Sequence, residues 1–376
     1  MGTPAIGEPA QTVTPDPGRA GGGSEKGMSE TLAVVGGGVI GLAVARRAAQ
    51  AGLTVRVHRD ITRPGSSWVA GGMLAPYSEG WPGEEELLRI GLESLTLWHN
   101  PLPGGFLDGL PPDVVTARAS LVVAVDQADV ADLRTVADWL AAQGHPVIAT
   151  NSARDTEPLL AQGIRHGFLA AGEMAVDNRL LLRALEDHCQ RLGVQWAGAV
   201  GRLDEARAGA DAVVIANGID APALWPGLPV RPVKGEVLRL RRRPGCMPLP
   251  QSVIRARVHG RPVYLVPRAD GVVVGATQYE HGRDTAPSVN GVRDLLDDAC
   301  AVLPALGEYE LVECAAGLRP MTPDNIPLVG RLDERTLVAT GHGRSGFLLA
   351  PWTAERIATE LTGRGSDRSA DVGAVA

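Results

Sequence analysis

The sequence predicts an α/β protein, α+β overall, in which a parallel-sheet domain is interrupted by an inserted, mostly antiparallel β-sheet domain. Three observations carry this reading. Residues 31–58 read as a strand, a glycine-rich turn, a helix and a second strand. Residues 211–216 (DAVVIA) are continuously apolar after Asp211, as a strand buried on both faces must be. From Val230 to Ala276 the pattern changes to strands separated by Pro and Gly turns, the mark of an antiparallel sheet.

In chain order, Thr31–Val35 (TLAVV) is a short β-prone run, 36–41 a turn, 42–51 an alanine-rich helix closed by Gly52, and 54–58 a strand. Leu88, Leu92, Leu95 and Trp98 recur at helical spacing, as do Val130, Leu133, Val136 and Leu140 before Gly144. A strand at 119–125 separates these helices, and Glu84, Glu85 and Glu86 read as a helix first turn, where negative charge meets the dipole. Asp177 is a plausible N-cap for a helix through Leu181, Leu185 and Cys189 that stops at Gly193. Residues 290–303 and 345–361 read as helices, and 309–315 and 337–340 as strands.

Composition bounds what such a chain does. With 376 residues, 44% of them hydrophobic and 21% charged, it is an ordinary globular sequence of one large or two medium domains. Its longest apolar stretch, 33–45, is glycine-rich and ends at Arg46 and Arg47, far short of a bilayer span. A net charge of -7 without a block of like charge argues against nucleic acid or an anionic membrane and for small-molecule partners. Cys189, Cys246, Cys300 and Cys314 lie far apart without metal-ligand spacing, so no metal site and reduced thiols in a cytoplasmic protein are expected. Residues 1–27 and 365–376 are expected to be disordered; the first tail has no signal-peptide pattern, and Met28 reads as the natural start.

Gly36, Gly38 and Gly41 form GxGxxG between a strand and a helix. The first glycine permits the turn, the second lets backbone approach a pyrophosphate, and the third lets the helix pack on the strand. The pyrophosphate then rests on the helix N-terminus. An acidic residue normally ends the second strand and binds the adenosine ribose, but here Arg59 takes that place. Two readings stay open: Asp60 serves after a one-residue shift, or Arg59 reads a phosphate. Near the C-terminus, Arg319 follows Gly317 at a strand end, where a guanidinium can clamp a carboxylate bidentately or pair with another surface charge. The run from Gly341 to Gly346 is either a cradle for a ring's polar edge or a plain cap for the last helix.

Together these motifs, with 66–74 (SSWVAGGML), 232–236 (PVKGE), 264–268 (YLVPR), 274–277 (VGAT), 317–320 (GLRP) and 341–346 (GHGRSG), resemble the glycine oxidases of thiamine biosynthesis, members of the D-amino-acid oxidase family of FAD enzymes. The resemblance runs in the same order over residues 31–361. It implies a Rossmann-like FAD-binding domain (28–82, 150–222 and 312–364) and a substrate domain (83–149 and 223–311). By this resemblance Val39, Ile40, Ser66, Ser67, Gly71, Gly72 and Met73 line noncovalent FAD, with Arg59 or Asp60 at the ribose and Val176 giving backbone contacts to adenine. His342, Gly343, Arg344, Ser345, Gly346, Phe347 and Leu348 hold the flavin edge. Arg319 binds the substrate carboxylate, Tyr264 orients it, Arg344 stands near the ring and Gln278 lies over the substrate side. Gly317 occupies the position where relatives with covalent flavin carry cysteine, so covalent attachment is not expected.

The implied activity is oxidative deamination of glycine, and of sarcosine or small D-amino acids, to imine or glyoxylate, ammonia and hydrogen peroxide, with a link to the thiazole synthase and a possible homo-oligomer. A D-amino-acid oxidase or dehydrogenase of broader specificity is the competing enzyme. A flavin domain acting on tRNA is the competing class, against which the acidic balance counts. His58, His99, His145, His166 and His188 fall in no shared motif and read as structural. Lys234 is the one lysine of the folded region and stands in the VKGE segment.

Overall fold

The computed structural model describes residues 30–62, 64–145 and 147–362. The tails 1–27 and 365–376, and Met28, lie outside the described residues.

Two sheets make the body. In the first, Thr31–Val35 pairs in parallel with Thr54–Arg59 and with Ala212–Ile215. Gln195–Gly198 and Thr336–Thr340 extend the parallel set, and Leu328–Asp333 adds an antiparallel edge. Val213, Val214 and Ile215 are fully buried, as the apolar run required. Helices Val39–Gln50, Asn178–Arg191 and Ala350–Leu361 pack into the core on one face, and Leu203–Arg207 with Ala221–Leu224 on the other. This is the doubly wound arrangement expected for the first domain.

The second sheet runs Glu310–Met321, Arg231–Arg241, Gly271–Gly275, Arg261–Pro267, Val253–Val258, Val115–Ala124, Gly167–Val176 and Met73–Leu74, with Ile148–Thr150 on Gly167–Val176. It is mostly antiparallel, with one parallel pairing between Val253–Val258 and Val115–Ala124. Helix Val289–Val302, in the stretch expected to be helical, lays Leu295, Ala299 and Val302 on it. Gly167–Val176 and Glu310–Met321 join this sheet, although both lie in stretches assigned from the sequence to the first domain. Among the described residues no helix is long and apolar enough to cross a membrane.

Three elements depart from expectation. Strand Gly167–Val176 went unrecognised because Gly172, at φ 89°, and register shifts against Val115–Ala124 break its alternation. The strand expected at 309–315 continues to Met321, held by unbroken pairing with Arg231–Arg241 through Gly317. The last helix begins at Ala350 rather than Ser345, since Gly343–Ser345 forms a separate 3-10 turn with Gly343 at φ 54°.

The glycine turn sets the spacing of the first sheet against its helix. Gly36 has φ 128°, and a Cβ there would lie 2.2 Å from Ala216 O; a Cβ on Gly41 would lie 1.9 Å from Gly36 O. Both contacts are with backbone, which cannot swing aside. Gly41→Ala is therefore expected to lower Tm by at least about 5 °C, from forced backbone displacement of ~2 kcal/mol or more. Gly52→Ala, at φ 93° with nothing within 4 Å, should cost ~1 kcal/mol of left-handed strain alone. Equal melting temperatures for wild type and Gly41→Ala in circular dichroism would refute the packing argument.

Candidate functional site

Gly38 caps helix Val39–Gln50 without a side-chain hydrogen bond, and the first turn holds no acidic residue. Ser67 Oγ lies 3.1 Å from the Val39 N–H, which brings the loop carrying Ser66, Gly71, Gly72 and Met73 to the start of that helix. Beside Gly36, the buried Asn217 Oδ1 has no hydrogen-bond partner among the described residues. An acid-free helix start whose N-cap residue is glycine, with adjoining hydroxyl and amide groups, fits the pyrophosphate half of a dinucleotide.

At the end of Thr54–Arg59, Arg59 Nη1 meets Glu186 Oε1 at 2.6 Å and its guanidinium lies 4.4 Å over the Trp196 ring. Gly37 makes room for it, since a Cβ there would come 2.9 Å from Arg59 Cβ. Asp60 is exposed and folds onto its own turn, Oδ1 accepting from Thr62 N at 2.8 Å and Thr62 Oγ1 at 2.5 Å. Val176 stands in the second sheet with its N–H donated to Gly72 O at 2.8 Å. Val176 is thus tied to the serine and glycine loop.

That loop is fixed from behind by a buried polar cluster absent from the sequence reading. Ser66 Oγ donates to Leu318 O at 2.5 Å, and Asn178 Nδ2 donates to Ser67 O and Trp68 O at 2.9 Å. Arg268 Nη2 donates to Gly71 O at 2.7 Å, with Nε 3.7 Å from Asp177 Oδ2. Burial pushes Arg268 down to about 10, so it remains a cation at neutral pH. Arg179 holds Glu313 through both guanidinium nitrogens and stacks 4.7 Å from Trp68. The arginine of YLVPR is Arg268; its partners Asp177 and Asn178, and the Glu313 that pairs with Arg179, come from distant segments with no local pattern.

Of the residues expected on the substrate side, Arg319 and Tyr264 stand on the second sheet. Pairing sets Gly317 opposite Gly235, and the Arg319 guanidinium lies across Gly235, where a Cβ would sit 2.4 Å from Nη2. Arg319 Nη1 donates to Thr277 O at 3.2 Å. Tyr264 is lodged between two further glycines: a Cβ on Gly275 would lie 2.3 Å from its hydroxyl, and one on Gly71 2.9 Å from its ring. Burial raises the Tyr264 phenol while the Arg319 charge opposes that shift, so Tyr264 is a neutral donor at pH 7.

Around these stands an alternating charge chain. Arg255 Nη1 meets Glu79 Oε1 at 2.6 Å and Met73 Sδ at 3.4 Å. Arg344 reaches Glu79 Oε2 at 3.8 Å and Glu84 Oε2 at 2.5 Å, and Asn325 Nδ2 donates to Glu84 Oε1 at 3.1 Å. Arg344, expected at the substrate, is thereby committed to two carboxylates and is 36% exposed. Gln278 is exposed and is not drawn into the cluster. Glu85 and Glu86 lie in the helix first turn as expected, whereas Glu84 is the N-cap residue just before it and its side chain serves Arg344.

The run after Gly341 is anchored in the core. His342 is buried with Nε2 2.9 Å from Thr353 Oγ1; Phe347 and Leu348 are buried, and Leu348 O accepts from Ser94 Oγ at 2.6 Å and Trp98 Nε1 at 2.9 Å. Ser345 and Gly346 complete the turn, with Ser345 N donating to His342 O. Cys314 faces away: residues alternate along a strand, so Arg319 and Gly317 share one face and Cys314 the other, where it lines a recess with Val292 and Leu296.

Comparison with known proteins agrees with this geometry. A family model described as FAD dependent oxidoreductase (DAO) matches residues 31–360. A glycine oxidase of Pseudomonas putida is 31% identical, over 89% of this chain and 95% of that protein. A putative thiamine biosynthesis oxidoreductase ThiO of Rhizobium etli is 33% identical, over 88% of this chain and 96% of that protein. The crystal structure of glycine oxidase from Geobacillus kaustophilus superposes with a TM-score of 0.78 at 28% identity, covering 89% of this chain and 95% of that one.

Burial drives His342 down to about 3, so it is neutral in the folded protein at every ordinary pH. The unfolded imidazole titrates near 6.5. Because the folded value is depressed, stability is full above about pH 6.5 and is lost as pH falls from there toward 3. His342→Gln should reduce the change in unfolding free energy between pH 7 and 4.5, read from urea titrations, by about 2 kcal/mol relative to wild type. Parallel pH profiles of the two proteins would contradict the buried neutral histidine.

Proposed function

Because this chain belongs to the DAO family of FAD dependent oxidoreductases and is an FAD-dependent amine oxidase, we propose that its substrate is glycine, oxidised to the imine and thence to glyoxylate and ammonia, with hydrogen peroxide as co-product. Sarcosine and small D-amino acids are accepted more weakly. The observation that carries the reading is Arg319, laid across Gly235 and steadied by Thr277 O beside Tyr264, as a fixed carboxylate anchor. The name of the Rhizobium etli relative supports thiamine biosynthesis as the destination, with the thiazole synthase as the enzyme that takes up the product.

The residues present fit noncovalent FAD: the helix start at Gly38 and Val39 with Ser67 for the pyrophosphate, and the Met73 and His342 segments for the ring. Bound there, FAD would supply the two-electron acceptor for the hydride on the substrate Cα and the route for those electrons to oxygen. What the chain contributes is position. Arg319 pairs with the substrate carboxylate, and the Tyr264 hydroxyl donates to the same group from the opposite glycine-lined side. Two donors fix two of the substrate's orientations, so the Cα–H is presented in one direction. The Arg255, Glu79, Arg344 and Glu84 chain joins the loop around residue 79 to the 342–348 turn and sheds water from the mouth. The amine reacts in its neutral form, losing its proton to solvent. The proposed division keeps the six-stranded sheet for the cofactor and the nine-stranded sheet for the substrate.

Purified protein should be yellow and should release hydrogen peroxide aerobically with glycine, with lower kcat/KM for sarcosine, D-alanine and D-proline. Higher kcat/KM for D-alanine or D-proline than for glycine would move the assignment to a broader D-amino-acid oxidase. Arg319→Ala should raise the glycine KM about thirtyfold or more, the loss of one charge-assisted pair. The visible flavin spectrum should stay unchanged, and an unaltered KM would remove Arg319 from the carboxylate role.

A further inference from the structure

We infer that Glu186, held in place by Arg59, supplies the carboxylate that binds the adenosine ribose of the cofactor, in place of the acid that ordinarily ends the second strand. That strand ends in Arg59, and its side chain is fixed on three sides. Gly37 leaves room for its aliphatic stem, Trp196 stacks its guanidinium at 4.4 Å, and Glu186 Oε1 takes Nη1 at 2.6 Å. Glu186 lies on helix Asn178–Arg191, and its pair with Arg59 joins that helix to the strand end next to the glycine turn. The acid missing from the strand is thus restored from a neighbouring helix.

The rest of the molecule narrows the choice to this residue. Asp60, the other acid at the strand end, closes its own turn through Thr62 N and Oγ1. Only one oxygen of Glu186 is used by Arg59; Oε2 takes no hydrogen bond among the described residues, and the side chain is 36% exposed. A half-exposed carboxylate with one oxygen locked is the acceptor that ribose hydroxyls need. Arg59, neutralised by Glu186 and stacked on Trp196, presents no net charge to a ribose phosphate, so the phosphate reading of Arg59 is set aside. Arg59 is therefore a positioning residue and Glu186 the contact. The inference concerns the cofactor alone and holds whichever amine is oxidised.

The test reads binding rather than turnover. Apoprotein is titrated with FAD and with FAD analogues built on 2′-deoxyadenosine and 3′-deoxyadenosine, following flavin fluorescence. Wild type should bind at least one analogue about tenfold to a hundredfold more weakly than FAD, the loss of a hydrogen bond to a charged group. In Glu186→Gln, with an unchanged circular dichroism spectrum, that penalty should fall to about threefold or less. Arg59→Met, which keeps the acid but removes its clamp, should give an intermediate penalty. A wild-type protein indifferent to both analogues, or a Glu186→Gln penalty equal to wild type, overturns the assignment. NADP+ competing for the apoprotein better than NAD+ overturns it in favour of Arg59 as a phosphate reader. A full wild-type penalty in Arg59→Met overturns the positioning role. Failure of the apoprotein to bind FAD at all would strike the family-wide reading instead.

Discussion

Side-chain-free backbone at four positions governs where every polar group of the substrate site stands. Gly317 and Gly235 face each other across paired strands; the Arg319 guanidinium fills the space that Gly235 leaves, and a Cβ on Gly317 would press 3.2 Å from Val69 Cβ. Gly71 and Gly275 do the same for the Tyr264 ring. A methyl group at Gly235 or Gly275 would lie within 2.4 Å of the residue it makes room for. The constraint joins the domains: Gly71 belongs to the loop that begins at the first sheet's helix, and Gly275 to the second sheet. Cofactor loop and substrate anchor are therefore built against one another, and neither can shift without moving Tyr264.

Such close backbone approach needs rigid support, and the support is polar. Behind the Ser66 to Met73 loop, Asn178, Arg268 and Arg179 donate to the loop carbonyls, and Asp177 and Glu313 pair with those arginines, so three distant segments hold the loop. A buried network of this kind adds little net stability over a well-packed apolar core. It does impose direction: a carbonyl taken by Arg268 cannot turn elsewhere without leaving a buried cation unpaired. The same logic applies to Lys234, fully buried between Glu236 and Asp284, whose backbone pairs with Tyr279. That pairing fixes the 277–279 segment and with it the Thr277 carbonyl that steadies Arg319. The one lysine of the folded region thus acts two contacts away from the anchor.

Much of the first sheet was legible because its signals are local. Gly36 to Gly41 and DAVVIA each state their environment within six residues, and Asp177 caps its helix by accepting from Arg179 N and Leu180 N. The second sheet was legible as a class but not in its strand list, since Gly167–Val176 depends on a bulged partner rather than on its own alternation. Arg319 and Tyr264 could be read because glycines and prolines flank them in the chain. The Glu79, Glu84 and Arg255 contributions could not, because charge pairing across a hundred or more residues leaves no periodicity. Arg344 shows the cost: its motif was visible, and its two carboxylate partners, Glu79 and Glu84, were not.

The case of Arg59 inverts that lesson. A motif departure visible in the sequence looked like the loss of a function, yet spatially it is a transfer. The adenosine end of a dinucleotide needs a carboxylate near the second strand's end; nothing in that need fixes which segment carries it. An arginine at the strand end lures an acid from a neighbouring helix, and the pair, stacked on Trp196, is stiffer than a lone glutamate on a mobile strand terminus. An unpaired cation there would repel no phosphate and bind no ribose hydroxyl in the required acceptor role, so the arginine is compatible with FAD only because Glu186 accompanies it. The two positions are 127 residues apart in the chain yet in direct contact, so the effects of substituting them on cofactor affinity are expected to be coupled rather than additive.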